Sequence, residues 1–141
     1  MFRNMGAALA GVVIAFVLVM LVEKLGHFIY PPPASLDYKD VEVVETYIAT
    51  LPFLALLFPM IAWVVGTFTG TLVAAKLGTA NPLGFAGIVG GLVLAATISN
   101  LIFIPHPLWF SIVSLIAIAA SAWFAAKVAS GRARRAPARE D

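Results

Sequence analysis

Four long apolar runs fill most of this chain, and nearly all of its charge lies at their ends or between them. Roughly 20 apolar residues suffice to carry a helix across the hydrocarbon core of a bilayer. Backbone in contact with lipid must satisfy its own N–H and C=O groups, so only helices and closed barrels span. The runs are continuous rather than alternating, which selects helices. The fold class that follows is an all-α membrane protein, a four-transmembrane-helix bundle. Composition agrees: 62% of the residues are hydrophobic and 11% charged, against about a quarter charged in a soluble domain. The mean hydropathy is +1.00. The polar stretches are too short to bury a second core, so residues 1–130 read as one domain. There is no cysteine, which excludes disulfides, thiolate metal sites and thiol redox chemistry.

The proline, glycine and asparagine positions set the span limits at about 5–30, 51–77, 82–104 and 107–129. Pro31-Pro32-Pro33 stops the first run. That run is too long for the apolar region of a signal peptide, and no small-x-small cleavage site follows it. Thr50 is the candidate N-cap of the second run, with Pro52 in its first turn. Pro59 inside that run predicts a kink, and Gly78 a C-terminal stop. Asn81-Pro82 starts the third helix. The short Pro105-His106-Pro107 link folds the third and fourth helices into a tight antiparallel hairpin.

Lysine and arginine near span ends set orientation. With both termini cytoplasmic, seven of the nine basic residues lie inside: Arg3, Lys76, Lys127, Arg132, Arg134, Arg135 and Arg139. Five of the seven acids, Glu23, Asp37, Asp40, Glu42 and Glu45, lie outside. Trp109 and Trp123 fit interfacial anchors near the two ends. The basic residues adjoin a membrane segment, so membrane lipids are the expected partner and nucleic acid is not. Residues 131–141 read as a basic, disordered cytoplasmic tail.

The outer loop, 31–50, contains a short amphipathic segment. Val41, Val44 and Ile48 share a helical stripe, with Asp37 or Asp40 as N-cap. Alternatively the segment continues into the second span as one helix of about 55 Å, which would protrude or bend near Pro52.

Small residues recur at four-residue spacing: Ala7, Gly11 and Ala15 in the first span, Gly66, Gly70 and Ala74 in the second, Gly87, Gly91 and Ala95 in the third. Such stripes let membrane helices approach closely. They read either as packing inside the bundle or as a face for a homo-oligomer. Thr67, Thr69 and Thr71 beside the glycines suggest a polar path, although threonine usually bonds its own helix.

The candidate site is the end of the first span. Glu23, His27 and Tyr30 are spaced i, i+4, i+7 and share a face, while Lys24 points away and can snorkel. A carboxylate at that depth must face protein or water. His106 lies on the same side of the membrane, with Asn100 about one and a half turns below it and Glu45 just before the second span. Glu23, His27 and His106 are chemically able to bind zinc or copper or to relay protons. The plain alternative is that Glu23 and Lys24 mark the membrane boundary, His27 pairs with Glu23 within the helix, and His106 caps the fourth helix. Haem held by two histidines is disfavoured because His106 is in a loop. No triad, phosphate loop or paired-carboxylate arrangement is present, and no cofactor is expected beyond that metal reading. Trp63, mid-span, reads as a packing residue.

Glu23-x-x-x-His27 running into Tyr30-Pro31-Pro32-Pro33, then Asp37-x-x-Asp40, Ile48-Ala49-Thr50-Leu51-Pro52 and the Ile104-Pro105-His106-Pro107-Leu108-Trp109 hairpin together resemble small, uncharacterised four-helix bacterial integral membrane proteins. The resemblance covers the first half of the chain and that hairpin. It implies a bacterial inner membrane and no activity. Three functions are therefore in view: a non-enzymatic, self-associating structural or interaction protein; a subunit of an oligomeric channel or transporter for a small solute or cation; and a metal- or proton-binding protein using the outer Glu/His/His cluster.

Overall fold

The structure, a computed structural model, describes residues 1–133. Five helices follow in order: α1 (Phe2–Ile29), α2 (Val41–Thr50), α3 (Phe53–Leu77), α4 (Pro82–Phe103) and α5 (Leu108–Ala133). All but α2 are long and apolar enough to cross a membrane. The spans are antiparallel, so one end of the bundle carries the described N-terminus and the end of α5. The other carries α2, the end of α1, the start of α3 and the α4–α5 hairpin.

α3 and α4 touch each other at the centre, with α1 against both on one side and α5 against both on the other. The α1–α3 contact is made by backbone. A methyl group at Gly11 would lie 2.5 Å from the Gly70 carbonyl oxygen, and one at Gly66 would lie 2.7 Å from that of Ala15. Two helices come this close only where side chains are absent. At the α4–α5 contact the corresponding residue is Gly90, where a methyl would meet Ala122 at 2.7 Å. Gly87 and Gly91 do not face the bundle: a methyl on either meets nothing within 4 Å. The third-span stripe expected from Gly87, Gly91 and Ala95 thus looks outward, one residue out of phase with the packed Gly90.

Hydrogen bonds tie the termini end together. Arg3 Nε donates to the Leu77 carbonyl at 2.9 Å. Asn4 Oδ1 accepts from the Thr79 amide at 2.7 Å and hydroxyl at 3.1 Å, and from the Ala80 amide at 3.3 Å. Asn81 Oδ1 accepts from the Leu83 amide at 3.0 Å and caps α4.

The outer segment is a separate short helix and does not run into the second span, the first of the two readings. Boundaries differ from the sequence expectation at α3 and α5. The chain is extended at Leu51 and Pro52, and α3 begins at Phe53 with Pro52, not Thr50, at its N-cap. The residue before a proline disfavours helix, and the Thr50 hydroxyl instead donates to the Tyr47 carbonyl at 2.6 Å. Asp40 caps α2, its carboxylate accepting from the Glu42 amide at 3.0 Å and the Val43 amide at 3.3 Å. At the other extreme, α5 runs past residue 129 to Ala133, because nothing between Lys127 and Ala133 breaks a helix except the tolerable Gly131. Residues 134–141, most of the tail read as disordered, lie outside the described residues.

Candidate functional site

A cavity of about 200 Å³ opens at the α2 end of the bundle. α1 supplies one wall through Glu23, Gly26, His27 and Tyr30. α3 supplies another, where Ala55, Phe58, Pro59 and Trp63 follow one another down the helix. Asn100 of α4 and His106 of the hairpin complete it on the far side, and α2 covers it through Val44, Tyr47 and Ile48. Val44 and Ile48 are buried in the same apolar core as Leu56, Trp63 and Phe110, so α2 is seated as a roof by its apolar stripe. Gly26 admits the α3 wall: a methyl there would meet the Phe58 side chain at 2.7 Å. Tyr30 stands edge-on to Phe58 with ring centres 6.1 Å apart.

The carboxylate of Glu23 is anchored at the deep end of this cavity. Trp63 Nε1 donates to Glu23 Oε1 at 3.1 Å. Trp63 is 5% exposed, and its ring packs edge-on against Phe110 at 5.7 Å. His106 lies flat on the other side of that stack, 4.8 Å from Phe110 with planes 13° apart. His106 Nδ1 is 2.7 Å from the Ile104 carbonyl. A carbonyl only accepts, so Nδ1 carries the hydrogen and the neutral ring keeps a lone pair on Nε2. Burial holds the His106 pKa below its ordinary value, against a smaller upward pull from the Ile104 carbonyl. The phenol of Tyr47 stays protonated, since burial, and then the neighbouring Tyr38, push its pKa above the usual range.

The structure thus brings Glu23, His27, Tyr30, Asn100 and His106 to one cavity. Glu45 is not among its walls. It sits on the exposed face of α2, next to Val44 in sequence, and the seating of Val44 turns it away. Among the described residues no three His, Asp or Glu side chains are grouped closely enough to hold a metal ion. Glu23, His27 and His106 share a cavity without being grouped closely enough to form a ligand set.

Trp63 is the residue that the sequence reading missed. A buried carboxylate on α1 needs a donor on whichever helix packs against it, and Trp63 is the indole at matching depth on antiparallel α3. The threonines also separate. Thr67 and Thr71 are buried, whereas Thr69 lines a shallow groove between α3 and α5. The hydroxyls of Thr67, Thr71, Thr97 and Ser114 have no hydrogen-bond partner among the described residues.

Comparison with protein-family models, with curated proteins and with solved structures finds no match to this chain. Fold and site define a helical protein with four potential membrane spans and one roofed, acid-floored cavity at the end opposite the N-terminus.

Proposed function

We propose that this is a non-enzymatic, multi-pass protein of the bacterial inner membrane that binds a small solute at its outer end. Both termini lie in the cytoplasm: Arg3, Lys76 and Lys127 belong to the termini end, while Asp37, Asp40, Glu42 and Glu45 belong to the α2 end. The observation that supports the reading is the cavity itself. It is concave, mostly apolar, and supplied with a few convergent polar groups, as solute sites are. Towards the termini end, buried Val89, Val93 and Ile118 close the bundle, which favours binding over conduction through a single copy.

The chain has no cysteine, so single-cysteine variants label cleanly. In intact cells, Asn100→Cys is expected to react with a small membrane-impermeant thiol reagent added outside, and Ile98→Cys, on the exposed face of α4, is not. An Asn100→Cys protein that is inert, or that reacts only from the cytoplasmic side, overturns the reading.

One observation favours self-association as a second property. Gly84, Gly87 and Gly91 form an outward notch on α4 with nothing within 4 Å of any methyl placed there, flanked by exposed Leu83, Ile88 and Leu92. A second copy fits such a notch closely. Cross-linking in membranes should give a homo-oligomer that a Gly87→Leu, Gly91→Leu variant loses. A wild-type protein that stays monomeric contradicts it.

A further inference from the structure

Among the described residues the cavity is lined by one carboxyl group, that of Glu23, by the imidazoles of His27 and His106, and by no lysine or arginine. Trp63 occupies one position on Oε1, whereas a carboxylate accepts at about four. The walls offer donors in the hydroxyls of Tyr30, Tyr38 and Tyr47 and the amide of Asn100, and they offer acceptors as well. His106 uses its N–H on Ile104, leaving Nε2 as a lone pair. Pro59 has no N–H for the carbonyl of Ala55, its helical acceptor four residues back, and both residues line the cavity. An anionic solute would face Glu23 with no lysine or arginine among the described walls to offset it, only the His27 imidazole. A neutral one would desolvate Glu23 further without adding a charge to oppose it, which is costly. A bare divalent cation finds too few grouped ligands among the described residues. What remains is a cation that carries its own apolar body. The aromatic walls of Tyr30, Tyr47, Phe58 and Trp63 suit one, since ring faces attract cations and pack alkyl groups equally well.

We propose that the cavity takes a small organic ammonium ion, its N–H groups bonded to Glu23 and its alkyl part held among Tyr30, Phe58 and Trp63. The assignment rests on the reading of this cavity as a solute site. A volume of about 200 Å³ holds an amine of a few carbons.

The test is calorimetric titration of the full chain in lipid nanodiscs with three probes of one shape: butylammonium, butanol and butyrate. Butylammonium should bind at least about tenfold more tightly than butanol, a difference of ~1.4 kcal/mol, and butyrate should not bind. Glu23→Gln keeps an acceptor for the Trp63 indole, so the fold is retained. It should weaken butylammonium about tenfold and leave butanol unchanged. Equal affinities for butylammonium and butanol, or a Glu23→Gln protein that binds butylammonium as the parent does, overturn the assignment. If Asn100→Cys still labels from outside in that case, the cavity reading stands and only the ammonium class falls. Absence of both labelling and binding removes both.

Discussion

At the scale of single residues, the site is organised by one hydrogen bond that crosses between α1 and α3. Trp63 is almost wholly buried and gives its indole N–H to Glu23. A hydrogen bond to a charged group contributes roughly 1.5–3 kcal/mol. Trp63→Phe should therefore lower stability by about 2 kcal/mol, measured by denaturant titration in detergent. Glu23→Gln should lower it by less than half as much. A Trp63→Phe loss that is the same in the parent and in a Glu23→Leu background would mean that the indole contributes by packing alone. His106 adds a pH dependence. Its folded pKa lies below the ordinary 6.5, so the unfolded chain binds the proton first as pH falls. Its contribution is complete above about pH 6.5 and is lost below that, through the lower folded value. His106→Phe should flatten the thermal midpoint across about pH 5–8. The buried hydroxyls run the other way. Thr67 is fully buried with no hydrogen-bond partner among the described residues, and an unsatisfied hydroxyl costs about 1–3 kcal/mol. Thr67→Val should leave stability unchanged or raise it, and a clear loss in the same titration would show that the hydroxyl is satisfied. Of these residues, Glu23, His27, Tyr30, Asn100 and His106 were legible from spacing and membrane side. Trp63 was not, because helical periodicity within one span carries no information about which neighbour it meets.

At the scale of elements, glycine identity matters less than glycine phase. Gly11, Gly66 and Gly70 sit where α1 and α3 touch through backbone, but Gly87 and Gly91 face away. Gly70→Ala should destabilise by about 1–3 kcal/mol through overpacking. Gly87→Ala should be neutral or stabilise by up to about 1 kcal/mol, since alanine favours helix and meets nothing. Thermal unfolding of the two variants separates them, and similar effects would refute the α1–α3 contact. Small-residue spacing identifies a stripe without its direction, and α4 carries small residues in more than one phase, so the sequence left its packed face open. Helix starts were better determined where a cap has its own chemistry. Asn81 and Asp40 were readable as caps, and both accept from the amides they precede. The break between α2 and α3 turned on Leu51 and Pro52, where the sequence allowed either a joined or a broken helix. Only the burial of Val44 and Ile48 in the core makes the broken one cover the cavity.

At the scale of the molecule, α3 joins the two halves. It packs on α1, α4 and α5, carries Pro59 within its length, and delivers Trp63 to the cavity. The apolar runs made four potential spans readable, because length and hydropathy are properties of each segment alone. The cavity was not readable, since it exists only where three helices and a roof leave space between them. This space should admit solute from the α2 end down to the Glu23–Trp63 pair. A variant with Trp109→Phe and Trp123→Phe leaves Trp63 as the only tryptophan. Its fluorescence in bilayers should be quenched by acrylamide added to the aqueous phase and little affected by lipids brominated along their tails. Quenching by the brominated tails, with acrylamide unable to reach the indole, would mean that the space is closed to aqueous solute and that Trp63 faces lipid.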